Sequence, residues 1–360
     1  MTKLILSTGN IVSGGPSIIR KPGAYRSNLE LTNSLRSNFL AAQQAAAADI
    51  EADIAAAEED EEYLATASGN SDSDDIGFGN GSAYLHAFGN GTGTTSSSSS
   101  RRPPLATWTQ REGSVLYVPR LDWTDGGAVT GLSEEASQYE TTVKLFFVSG
   151  AQTATPAERG VFAEEALRLV FGELGISRAD LLVISFPGGG EGEDESGSRS
   201  VAPSDSDDIV AATWAATAEA LQAQGKVARL GVAEFGAAQL GQLLDRVAVA
   251  PAVDQVNLQR CCSVPPDLAT LARRHNIELL VHTDCTDVLP PGTLRELLGP
   301  GLQGAGVLAG GPVDDLPAGD SEALRGDLTP QWVVKYTAVV RDRGVIENKG
   351  YFAGASLRAV

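Results

Sequence analysis

Short apolar, β-branched runs alternate along this chain with longer stretches of helical period. The runs predict strands at 3–7, 116–118, 144–149, 181–185, 229–232, 252–256, 278–281 and 345–347. Between and after them, apolar residues recur every three to four positions, which predicts helices over 156–174, 209–224, 237–247, 266–275 and 330–341. Strands that each hand over to a helix are the pattern of βαβ units in a parallel sheet. Eight such strands fit an α/β architecture of the (β/α)8 TIM barrel type. A doubly wound open sheet is the alternative, which strand counting leaves open.

Three segments break the pattern: an Ala/Glu tract from about 41 to 62, a Gly/Ser/Asn/Asp tract from 69 to 100, and an acidic Gly/Ser loop over 188–208. Their apolar density is too low to offset the entropy of ordering. They are expected to be disordered insertions, 41–104 and 188–208, in a single domain spanning 1–360. The Ala/Glu tract has the composition of a helix but only a thin apolar stripe. The formal charge of −19 is concentrated in the same places. Residues 41–100 carry eleven acidic and no basic residues, and 188–208 carry seven acidic against Arg199 alone. The remainder is nearly neutral, and no clustered Lys/Arg surface of the kind that follows phosphates is apparent. Nucleic acid is therefore not an expected partner.

No stretch approaches the roughly 20 apolar residues of a membrane span, and the opening Met1-Thr2-Lys3 leads into a run too short for a secretory leader. A cytoplasmic protein without a membrane partner is expected. The three cysteines, Cys261, Cys262 and Cys285, have neither disulfide-framework nor zinc spacing. His282, Asp284 and Cys285 lie too close in sequence, and without a second cluster, to form a tetrahedral metal site. No metal is expected.

Residues 180–256 resemble aldo-keto reductases: Asp180-Leu-Leu-Val-Ile-Ser-Phe-Pro187, then Gly225-Lys226-Val227 to Gly231-Val232-Ala233-Glu234-Phe235, then Pro251-Ala252-Val253-Asp254-Gln255-Val256. The resemblance implies a barrel whose C-terminal mouth holds NADPH and a carbonyl substrate, with a Tyr as proton donor supported by Lys, Asp and His. Here Ser185 stands where the His belongs, Gly150 follows the strand that would end in the Lys, and no Tyr has an Asp five residues before it. The nicotinamide-binding Ser-Asn pair matches Ala233-Glu234, and the ring-stacking Tyr matches His282. Gln255 survives, and Lys349 matches a phosphate-binding Lys, so a residual NADP(H) site would rest on Gln255 and Lys349, and the alternative function that this resemblance implies is an NADPH-dependent aldo-keto reductase-type oxidoreductase or an NADPH-binding sensor.

A narrower resemblance covers the first strand and nearly all of 142–352. Leu6-Ser7-Thr8-Gly9-Asn10, the run Cys261-Cys262-Ser263-Val264-Pro265-Pro266-Asp267-Leu268, and Arg343-Gly344-Val345 to Lys349-Gly350-Tyr351 are similar to glutamate–cysteine ligase modifier subunits. That resemblance implies a non-catalytic regulator in a heterodimer with the ligase's catalytic subunit, raising its effective glutamate affinity and relieving glutathione feedback inhibition. It requires no cofactor. Cys261 and Cys262 are the redox or intersubunit candidates, and Arg343 and Lys349 are candidates for the partner-binding face.

Overall fold

The computed structural model describes residues 2–12, 27–67, 102–123, 131–188, 205–257, 263–285, 287–310 and 323–358, with side chains 59–67 left aside. Contacts divide the chain into two units, 1–42 with 105–360, and 43–104. The first contains a ten-stranded sheet of order β2-β3-β1-β10-β9-β4-β5-β6-β7-β8. Its strands are β1 Thr2–Ser7, β2 Gln110–Glu112, β3 Val115–Val118, β4 Tyr139–Phe147, β5 Ala179–Ser185, β6 Val227–Ala233, β7 Val253–Asn257, β8 Glu278–His282, β9 Asp327–Val340 and β10 Val345–Arg358.

Among the described α-helices, those longer than four residues are α1 Ser27–Ala67, α2 Pro156–Leu174, α3 Asp207–Trp214, α4 Ala237–Leu244, α5 Pro266–His275 and α6 Thr293–Leu298. Helix α2 forms where the sequence says it should: Thr155 and Glu158 close a capping box, Pro156 opens the first turn, and Gly175 ends the helix at φ 67°. Helix α5 likewise opens on a proline and ends at left-handed Asn276, with Arg273, Arg274 and His275 in its last turn.

Strands β4 to β8 pair in parallel and in sequence order, each next strand on the same side of the last. That is barrel winding; a doubly wound sheet reverses direction at a switch point. One face of the sheet carries Val143, Leu145, Leu182, Ile184, Leu230, Val232 and Val256, packed with α2, α3, α4 and α5 side chains into the main core. The other face carries a smaller apolar layer, Leu181, Val183, Ala233 and Val253.

The sheet is strongly curled toward this second face. Asp284, two residues past β8, is hydrogen-bonded to Lys144 on β4 and to Lys335 on β9. In a flat sheet β4 and β8 would lie about 19 Å apart, too far for a lysine and an aspartate to meet. Recorded pairing runs from β2 to β8. The interval between β8 and the β1/β10 side is crossed by the first turns of α1. Ser27 and Asn28 contact Cys285, Glu30 contacts Lys349 and Tyr351, and Asn38 donates to the Ser7 carbonyl.

The largest departure from the sequence expectation is at 330–341, where a helix was predicted and β9 is found. Val333, Val334, Thr337, Val339 and Val340 are β-branched and Trp332 and Tyr336 aromatic, a composition that packs better on a pleated surface than on a helix. Pro330 is accommodated because the β9/β10 register shifts beside it, leaving Gln331 unpaired with β10. The strand predicted at 345–347 accordingly extends to Arg358.

Two other expectations change. The Ala/Glu tract is helical, as the end of α1, through Ala67, whereas 68–101 lie outside the described residues. The acidic loop ends at a structured residue: Asp205 holds the fully buried Arg159 in a bidentate pair at 2.5 and 3.0 Å, while 189–204 are outside the described residues.

Trp332 and Tyr336 find room because glycines face them across the hairpin. A Cβ on Gly354 would lie 2.2 Å from Trp332 Cε2, and one on Gly350 would lie 2.2 Å from Tyr336 Oη. Gly354→Ala is expected to lower unfolding free energy by about 1–3 kcal/mol through overpacking, measured by urea denaturation. An unchanged midpoint would mean that the hairpin yields without cost.

Candidate functional site

The C-terminal ends of parallel strands are where α/β proteins place their chemistry. Here the inner face at that end carries a polar network in an apolar setting. Strand alternation turns Lys144 inward between the core-facing Val143 and Leu145, and β9 register places Lys335 directly opposite. Both ammonium groups meet one carboxylate. Lys144 Nζ is 3.0 Å from Asp284 Oδ2 and Lys335 Nζ is 2.7 Å from Oδ1, with Lys144 and Asp284 side chains 5% and 8% exposed.

The loop carrying Asp284 is tied down on both sides. Asn257 Nδ2 donates to the Asp284 carbonyl at 3.1 Å, and the Asp284 amide donates to His282 Nδ1 at 3.1 Å. His282 therefore carries its proton on Nε2, which faces Glu234 Oε1 at 3.7 Å, beyond hydrogen-bonding range. Glu234 itself sits at φ 64°, a left-handed conformation costly for a residue with a Cβ.

Burial and the neighbouring charges act against one another across this network. Burial acts to raise the Asp284 pKa, but Lys144 and Lys335 together outweigh it and hold the carboxyl far below its ordinary range. Burial lowers the pKa of Lys144 despite Asp284. Burial and then Lys144 bring His282 down to about 4, so its ring is neutral. The phenol nearest the network, Tyr351, has the Lys335 ammonium 6.0 Å from its ring centroid and donates to Glu30 at 2.8 Å. Burial and then the Glu30 charge push its pKa well above 10. The arrangement is an ionic lock in which one carboxylate holds two lysines.

Of the residues singled out in the sequence, Gln255 lies on the inner face of β7 with its Oε1 buried and unpartnered. Lys349 is ion-paired with Glu30 of α1. Arg343 lies in the β9–β10 turn, at the opposite end of the parallel strands, 3.1 Å from Glu134 and 60% exposed. Cys261 and Cys262 fall outside the described residues. A phosphate on Lys349 would have to approach Glu30 as well. Among the described residues no group of three or more His, Cys, Asp or Glu could hold a metal ion. No described helix is long and apolar enough to cross a membrane.

Sequence reasoning missed the Lys144–Asp284–Lys335 network, although a signal was present. Each lysine interrupts an apolar strand, Val143-Lys144-Leu145 and Val334-Lys335-Tyr336, and a lysine placed there needs a buried counter-ion.

No family model matches the chain. Among curated proteins, the provisionally named glutamate–cysteine ligase regulatory subunit of Schizosaccharomyces pombe is 31% identical over 231 residues, 61% of this chain and 72% of that protein. The glutamate–cysteine ligase regulatory subunit of Mus musculus is 26% identical over 239 residues, 66% of this chain and 74% of its own length. Among solved structures, the Bombyx mori aldo-keto reductase in complex with NADP aligns at a TM-score of 0.27 and 18% identity, over 37% of this chain and 38% of that one. An aldo-keto reductase from Brucella melitensis aligns at 0.26 and 22% identity, over 39% and 46%. At 31% identity across 72% of a relative's length, this chain belongs to the family of glutamate–cysteine ligase regulatory subunits.

Proposed function

We propose that this chain is a non-catalytic regulator that binds the catalytic subunit of glutamate–cysteine ligase, raises its effective affinity for glutamate and weakens inhibition by glutathione. Family membership supplies the partner. The observation that carries the non-catalytic part is Gly150, where the resemblance to reductases calls for a lysine: a Cβ there would lie 1.9 Å from the Pro330 carbonyl oxygen. No side chain fits in that position, and the lysines that do face inward, Lys144 and Lys335, are both ion-paired to Asp284.

A regulator of this kind works by differential affinity. It must bind the glutamate-competent conformation of the catalytic subunit more tightly than the other, and the coupling is reciprocal, so glutamate tightens the heterodimer. The exposed Arg343 turn and the segment holding Cys261 and Cys262 are the proposed contact regions, the two thiols adding sensitivity to oxidants.

The test is the glutamate dependence of ligation by the matching catalytic subunit, at fixed ATP and cysteine, with and without an excess of this protein. The expected result is a lower apparent KM for glutamate and a higher glutathione concentration for half-inhibition, with Arg343→Glu reducing both effects. An unchanged KM with folded protein would reject the reading. NADPH-dependent carbonyl reduction by the chain alone would reject its non-catalytic part.

A further inference from the structure

We propose that residues 27–42 of α1 form a lid on the C-terminal mouth of the barrel, one that opens as a unit while the sheet beneath stays folded. The lid's seat is narrow. A single stripe, Leu31, Leu35, Phe39 and Ala42, is buried to 2% exposure or less, with the Phe39 ring 6.3 Å from that of Trp108, and the attachments beside the stripe are polar. Ser27 Oγ accepts from the Cys285 amide at 2.7 Å, Cys285 Sγ donates to Asn28 Oδ1 at 3.3 Å, Glu30 binds Lys349 and Tyr351, and Arg36 meets Glu296 at 3.1 Å.

Charge pairing makes lid and sheet separable. The ionic lock beneath is complete without α1, because Lys144, Lys335 and Asp284 satisfy one another. Opening would strand no charge inside the sheet. It would separate Glu30 from Lys349 and Arg36 from Glu296, and all four groups gain water as the lid leaves. Closing also has an uncompensated element: Ser34 Oγ, on the lid, is buried with no hydrogen-bond partner, a desolvation that opening reverses. Regions held by few apolar contacts and many polar ones open sub-globally, below the free energy of complete unfolding. Loss of the lid uncovers Cys285, adjacent in sequence to Asp284, and with it the loop that closes the lock.

Native-state hydrogen exchange on the full chain, combined with peptide-resolved alkylation of Cys285, tests this. Amides of 27–42 are expected to exchange at least roughly 100-fold faster than those of 182–184 in β5. Glu30→Gln, which removes one charged partner, is expected to speed Cys285 alkylation by roughly tenfold while leaving β5 exchange unchanged. Asn28→Cys, oxidised onto Cys285, should slow exchange at 27–42 toward the β5 rate. Exchange of 27–42 at the β5 rate in the unmodified chain would overturn the proposal. So would unaltered Cys285 labelling in Glu30→Gln.

Discussion

Asp284→Asn is expected to lower the unfolding free energy by about 3–5 kcal/mol, because it leaves two ammonium groups inside the barrel without a counter-ion. The loss concerns the stranded charges and not the worth of the network itself. The control is therefore Lys144→Met/Lys335→Met/Asp284→Leu, which removes all three charges and is expected to recover most of the stability. Urea denaturation of the single and triple variants separates the two cases. If the triple variant is as unstable as Asp284→Asn, the network contributes through packing or geometry.

The pH dependence of this variant has a definite sign. Burial holds the Lys144 pKa below its unfolded value even with Asp284 present, and removing Asp284 takes away the main opposing influence. A lysine whose folded pKa is depressed binds fewer protons folded than unfolded, so stability rises with pH between the two values. The deficit of Asp284→Asn is expected to shrink as pH is raised from about 8 toward the ordinary lysine value of about 10.4. A deficit constant across that range would mean that water reaches the lysines.

The second large effect is expected at Asp254. This residue is fully buried, and burial pushes its pKa up to about 7 against the opposing influence of the Phe235 backbone N–H. Its folded pKa is raised above the unfolded value of 3.8, so the folded chain binds the extra proton. Stability then falls as pH rises from about 4 to about 7 and stays low above. Asp254→Asn removes the titration. Relative to the parent, it is expected to gain on the order of 3–4 kcal/mol between pH 4 and pH 8, followed by chemical denaturation at each pH. A difference independent of pH would show that Asp254 stays ionised in the fold.

The α/β class was legible in the sequence because the strands and helices of the parallel half announce themselves locally, whereas their winding was not, since strand counting fits an open sheet equally well. Thr155-Pro156 with Glu158, and Pro265-Pro266 with Asn276, mark helix ends by chemistry that acts within a few residues. The β9 segment was illegible for the opposite reason. Its apolar residues satisfy a helical period as well as an alternating one, and what decides is pairing with β4 and β10, partners distant in sequence. The ion pairs of the site were hidden in the same manner. Gln255 and Lys349 were found by likeness to reductases, yet Lys349 is claimed by Glu30 of α1, a contact spanning 319 positions that no local pattern encodes. Lys144 and Lys335 were visible as lysines out of place, but naming Asp284 as their common partner required the curl of the sheet.

The position of the β9–β10 hairpin has a consequence for biosynthesis. It lies between β1 and β4 in the sheet, although it is the last of the described elements to be made. On the ribosome, β1 and β4 therefore emerge as two bare edges, each with open backbone donors and acceptors, and stay so until residues 327–358 arrive. At about 5–20 residues per second, the roughly 180 positions separating β4 from the hairpin correspond to a wait of about 10–40 seconds. Throughout it, each edge is a template for pairing with another nascent chain.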